Sequence, residues 1–155
     1  MPRHEKSKNT FIAKVDYTIP VMDELRRRFP ALVNEAYKNI KFKPIQVCEN
    51  RCRETREVEF ELVHLGHDTS TEAALIEIHK RGLLPALPEE LLAFDAKYVM
   101  EMIAFPIAAL GAETILEGCY QVAYLWCHHL FGRSLNLNTT NGNWGDDFKF
   151  LAVRE

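Results

Sequence analysis

No stretch of this 155-residue chain approaches the ~18 consecutive apolar residues that a membrane-spanning helix needs, and its first ten residues are polar and charged. A transmembrane helix and a secretory leader are therefore not expected, and the chain reads as cytoplasmic. Cysteine is sparse. Cys48, Cys52, Cys119 and Cys127, with no secretory context around them, are expected to be thiols rather than a disulfide framework. There is no internal repeat and no low-complexity tract. There is also no specific catalytic or ligand motif, so no catalytic residue, cofactor or substrate is expected from pattern alone. What is present is enough apolar material, 47% of residues, for one α+β domain over residues 11–155 behind a flexible segment 1–10.

The formal net charge of −3 is unevenly spread. Residues 1–56 carry 13 Lys or Arg against 7 Asp or Glu, and the remainder carries 6 against 15, so the first third is +6 and the rest −9. Such asymmetry marks either a basic surface for a polyanion or two regions that complement each other within one molecule. Arg26, Arg27, Arg28, Lys38, Lys41, Lys43, Arg51, Arg53 and Arg56 would supply the phosphate contacts of the first reading. Few aromatics are interleaved with them: Phe29, Tyr37 and Phe42. A solvated helix face and a basic loop account for the same residues.

Periodicity carries the clearest information. Residues 57–64 alternate acidic and apolar side chains with period two, which predicts a strand with one buried face. Thr69-Ser70-Thr71-Glu72 predicts a capping box with Thr69 as N-cap, opening a helix with Leu75, Ile78 and His79 inward and Gly82 at its left-handed end. Pro88 predicts the first position of a second helix with Leu91, Leu92 and Ala96 on its apolar side. Before this unit, residues 11–18 read as a strand, Pro20 begins a helical segment that Pro30 ends, a further helical stretch starts at Ala31, and residues 41–56 read as a long polar loop.

After it, Cys119–Cys127 is open between helix and strand; strand is preferred, with Tyr120, Val122, Tyr124 and Trp126 on one face. Residues 134–138 alternate, and Asn141-Gly142 suggests a tight turn in which positive φ is tolerated. Residues 148–153 carry apolar side chains on both faces and so belong inside a sheet. The resulting expectation is an α+β fold, its helices mainly in the N-terminal two-thirds and its antiparallel or mixed sheet completed by C-terminal strands.

Four blocks recur in order: Glu59–His64, Gly82–Phe94, Phe105–Gly111 and Phe150–Arg154. They resemble a family of uncharacterised small proteins frequent in candidate-phyla bacteria with reduced genomes. The resemblance covers about the last hundred residues and arguably the first strand, and it brings no activity with it. The chain departs from that family at Gly111-Ala112-Glu113-Thr114, where Gly-Ser-Val-Trp is usual. In topology the order of strands and helices is similar to the C-type-lectin-like and formylglycine-generating-enzyme-like folds, with residues 145–154 as the closing strand. The lectin disulfides are not evident, and a calcium-ligand pattern is only hinted at by Asn143-Trp144-Gly145-Asp146.

Three clusters could carry chemistry. Cys48, Cys52, His64 and His67 have the donor types and roughly the spacing of a tetrahedral zinc site, although His64 ends a strand and His67 follows a glycine turn, unlike a finger. The bland alternative is two loop thiols and two ordinary histidines. Cys127 and His129 would share one strand face as a thiol–imidazole pair, without a third group to orient the imidazole; a core cysteine is the alternative. Asn136, Asn138, Thr139, Thr140, Asn141, Asn143, Trp144, Asp146 and Asp147 form the densest polar cluster. Trp144 there could stack on a ligand while Asn138, Asn141, Asn143, Asp146 and Asp147 fix its orientation, or the segment could be an ordinary turn. The sequence thus reads as a non-enzymatic module that binds a protein or small molecule through residues 138–147. Nucleic-acid binding is the alternative, and a zinc protein or an enzyme comes last.

Overall fold

A computed structural model describes residues 10–20, 23–24, 27, 41–44, 54–116, 118–128 and 132–154. Ten strands and three helices occur among them. They are β1 (Thr10–Asp16), β2 (Lys43–Pro44), β3 (Thr55–His64), β4 (Thr69–Ser70), α1 (Thr71–Lys80), β5 (Leu84–Pro85), α2 (Pro88–Lys97), α3 (Val99–Ala104), β6 (Ile107–Leu116), β7 (Cys119–His128), β8 (Gly132–Thr139), β9 (Asn143–Trp144) and β10 (Lys149–Arg154). The fold is α+β. Its strands span the chain and its described helices are central, which corrects the expectation that helices fill the N-terminal two-thirds. The expected flexible segment lies, except for Thr10, outside the described residues, as does the helical stretch from Ala31. The Pro20 carbonyl accepts hydrogen bonds from the Asp23 and Glu24 amides at 3.0 and 3.2 Å, a helical turn where the proline predicts one.

The main sheet runs β1-β3-β10-β6-β7-β8, with β2 alongside β6 and β5 alongside β10. It is mixed: β10 lies parallel to β6 and antiparallel to β3. The last strand is therefore interior, as its two apolar faces require. Leu151 and Val153 point to one layer; Phe150 and Ala152 point to the other. The first layer packs the β3 residues Val58, Phe60 and Leu62 under α2, through Leu87, Leu91, Leu92 and Phe94. The second packs Val63, Ala108, Leu110 and Val122 under α1, through Ala74 and Ile78. Burial of each large side chain contributes about 1.5–3 kcal/mol. Cys119–Cys127 is strand, as its β-branched and aromatic alternation implies.

Local signals set the helix ends, with shifts. The N-cap of α1 is Ser70, whose hydroxyl accepts from the Ala73 amide at 3.1 Å; Thr69 is buried in β4 instead. That one-residue shift turns Thr71, Ala74 and Ile78 inward and leaves His79 exposed. The helix ends as expected at Gly82, with φ +74°. Its amide bonds the His79 carbonyl at 2.9 Å and the Leu83 amide bonds the Ile78 carbonyl at 3.1 Å, the paired bonds of a Schellman cap. Pro88 opens α2, but Phe94 is the inner residue and Ala96 is exposed. In the same helix the buried Glu90 accepts from the Tyr17 hydroxyl at 2.5 Å and the Leu87 amide at 2.6 Å, tying the end of β1 to α2. Among the described residues, no helix is long and apolar enough to cross a membrane.

Candidate interaction surface

The polar segment after β8 folds back over the sheet instead of standing away from it. Trp144 pairs with Thr69 across the β9–β4 ladder and is 0% exposed. Its indole N–H donates to the Thr71 hydroxyl at 2.8 Å, and its ring makes edge contacts with Phe148, Phe150 and Tyr124 at 4.9, 5.7 and 5.8 Å. Both needs of an indole, apolar contact and one acceptor, are met inside the molecule. Stacking of a ligand on Trp144 is accordingly corrected: the residue is a core anchor. Its neighbours Asn141, Asn143, Asp146 and Asp147 remain exposed around it, while Asn138 donates to the Asn143 carbonyl at 3.4 Å. The turn is closed by the Gly142 amide on the Thr139 carbonyl at 2.9 Å. Gly142 is not in a positive-φ conformation; it is small because a Cβ there would sit 2.8 Å from both Asn138 Oδ1 and Thr139 Oγ1.

The other predicted clusters are not assembled among the described residues. Cys48 and Cys52 lie outside them. His64 donates through Nε2 to the Asp146 carbonyl at 2.9 Å and lies beside Phe105, while His67 donates through Nδ1 to the Asp68 carbonyl at 2.8 Å. These backbone bonds make His64 a brace for the 145–148 turn. No group of three or more His, Cys, Asp or Glu residues suited to a metal occurs among the described residues. Cys127 is half-buried and Cys119 exposed, both as free thiols, and His129 lies outside the described residues. Of the basic set, Arg26, Arg28, Lys38, Arg51 and Arg53 lie outside the described residues. Arg27 pairs with Glu24 at 2.6 Å, Lys43 stands opposite Glu113 in the β2–β6 register, and Lys41 is exposed. A cavity of about 220 Å³ between β1 and α2 is lined by Lys14, Asp16, Glu24, Arg27, Glu89 and Leu92, among others. It is below the usual size of a small-molecule site.

The sheet's two edges differ more than any of these clusters. At β1 the Tyr98 hydroxyl accepts from the Ile12 amide at 2.9 Å and donates to the Ile12 carbonyl at 3.0 Å, and Lys97 Nζ reaches that carbonyl at 2.5 Å. The C-terminal end of α2 thus caps the outward backbone of that strand at Ile12. At β8 no such cap occurs among the described residues. The Thr140 amide bonds the Tyr120 carbonyl at 2.9 Å, in register with the unbroken β7–β8 ladder. Because narrow and wide pairs alternate in an antiparallel ladder, Ser134, Asn136 and Asn138 bond to β7, and the N–H and C=O of Leu135 and Leu137 point outward.

Several exposed apolar side chains lie in β6, β7 and α3, while Ile12, Ile19 and Ile76 are exposed elsewhere. Ile115 and Tyr120, paired across β6 and β7, are 61% and 54% exposed; Trp126 of β7 is 43% exposed. Helix α3, which packs against β7, exposes Val99, Met100 and Ile103. Sequence reasoning found the Tyr120–Trp126 stripe but missed α3 and the Tyr98 cap. The aromatic and charged tail of α2, Lys97-Tyr98, was the available signal for the cap. No family model matches the chain, and no curated protein or solved structure is detectably similar to it.

Proposed function

We propose that this chain is a non-enzymatic interaction module whose working surface is the β7–β8 side of the sheet, with an extended or apolar segment of polypeptide as its partner. The observation that carries the reading is the open backbone of β8 beside exposed Tyr120, Ile115 and Trp126, on a sheet whose opposite edge is capped. An uncapped edge strand is a template for strand addition, in which main-chain bonds give affinity and alternate side chains give specificity. Asn138, Asn141, Asn143, Asp146 and Asp147 form a polar rim suited to fixing a partner's orientation. The order β3, helices, β6–β8 and a closing β10 antiparallel to β3 supports a C-type-lectin-like arrangement as the finer description of the fold.

The test is photo-crosslinking in the native cell with a benzophenone amino acid at position 120, 126 or 12. Polypeptide adducts at 120 and 126 with none at 12 are expected. Adducts only at 12, or none at all, would sink the reading.

A further inference from the structure

The chemistry of β8 specifies what that partner is. Resting on the interaction reading above, we infer that β8 pairs antiparallel with β8 of a second copy of this chain, about a twofold axis passing at Asn136. The outward backbone groups belong to odd-numbered residues, so only registers that place odd residues opposite odd residues form hydrogen bonds. The register centred at Asn136 satisfies this. Leu135 then stands opposite Leu137 of the copy, Ser134 opposite Asn138 and Asn136 opposite itself, while Arg133 meets Thr139, whose carbonyl already accepts from Gly142 and marks the end of the joint.

The side chains match as well as the backbones. Leu135 and Leu137 belong to the layer under α2, and the axis, being perpendicular to the sheet, keeps them on that layer in both copies. Ser134, Asn136 and Asn138 meet their own kind on the other face, where an Asn–Asn pair can exchange hydrogen bonds. No like charges face each other across the joint, and Gly132–Thr139 holds no proline, lysine or register shift, the usual devices against edge pairing. A slip of one residue would set inward backbone groups against outward ones and exchange the two faces, so the alternation also excludes the neighbouring register. Trp126 stands beside Ser134, one strand in from the joint, on the face where Asn138 of the copy would arrive. An interface of one strand pair with such a flank belongs to the small class, so association in the micromolar range is expected.

Sedimentation velocity on the purified chain from ~1 to ~200 μM tests this, alongside amide hydrogen exchange at low and high concentration. A monomer–dimer equilibrium is expected, with the Leu135 and Leu137 amides gaining protection as concentration rises; this readout needs no variant. Asn136→Lys and Asn136→Asp, each placing like charges at the axis, should weaken the dimer about tenfold or more, and an equimolar mixture should recover it. A wild-type monomer throughout would overturn the self-pairing, while adducts from positions 120 and 126 to a different polypeptide would leave the interaction reading standing. A dimer indifferent to both Asn136 variants, or one without protection at Leu135 and Leu137, would overturn the assignment to β8.

Discussion

One sheet ends in two ways. At the β1 edge, Ile12 gives its outward N–H and C=O to Tyr98 and Lys97, Phe11 packs edge-on against Phe94 and Tyr98 at 5.2 and 4.8 Å, and Tyr17 is bonded to buried Glu90. At the β8 edge, the described structure leaves the corresponding backbone groups of Leu135 and Leu137 open, with large apolar side chains exposed nearby. The difference teaches that, among the described residues, the helix layer caps backbone at one edge only, at Ile12. The tail of α2 reaches β1, whereas α3 reaches β7. The bonds that close the β1 edge at Ile12 lie at the surface, so the two edges differ in backbone pairing and not in burial.

The two tryptophans offer the hardest test of that contrast. Trp144 is wholly enclosed, and its replacement by Ala removes an indole from the core and leaves the Thr71 hydroxyl without its donor. A loss of about 3–5 kcal/mol in chemical denaturation is expected. Trp126→Ser, on the open side, should change stability by about 1 kcal/mol or less, while reducing adducts from position 120. Equal effects of the two substitutions would erase the distinction between core and surface on this face.

Tyr98→Phe sharpens the comparison from the closed side. It removes the hydroxyl that both accepts from and donates to Ile12 and leaves the ring packing in place. About 1 kcal/mol of stability should be lost, with faster amide exchange at Ile12. An unchanged Ile12 amide would show that the cap is not what closes this edge.

The smallest expected effect concerns the exit from β1. The Thr18 hydroxyl and amide both bond the Asp16 carboxylate and hold it below its ordinary value of 3.8. A carboxylate lowered in the folded state contributes stability that is present above its unfolded value and lost as pH falls through the folded one. Thr18→Val removes the larger cause, so Asp16 should titrate closer to its ordinary value in an NMR titration and the acid limb of stability should move up slightly. A titration that does not move would mean that the Thr18 amide and Thr55, not the Thr18 hydroxyl, set the carboxylate.

Much of the fold was legible in the chain. The alternation of 57–64, the break at Gly82, the start at Pro88 and the two apolar faces of 149–153 are local, because period and caps depend on residues only a few positions apart. The tryptophan was harder to place. A polar turn around Trp144 looks the same whether its ring faces a ligand or the core. No local signal decided it, because period-two alternation does not carry across the 145–148 turn that separates β9 from β10. Ser70 rather than Thr69 became the cap because Thr69 was drawn into the ladder with Trp144, a partner 75 residues away.

The sequence by itself determined the strand at 57–64, the helix end at Gly82, the helix start at Pro88, the interior character of the last strand, and that β8 is uncharged from Ser134 onward and alternates. Those properties follow from side-chain periodicity and backbone chemistry within a few residues. Only the tertiary structure decided that Trp144 is enclosed, that Glu90 is buried against Tyr17, and that Tyr98 caps β1 at Ile12 while no described residue caps β8. Each depends on side chains 70 or more residues apart arriving at one place, or on none arriving, and local propensity carries no term for either.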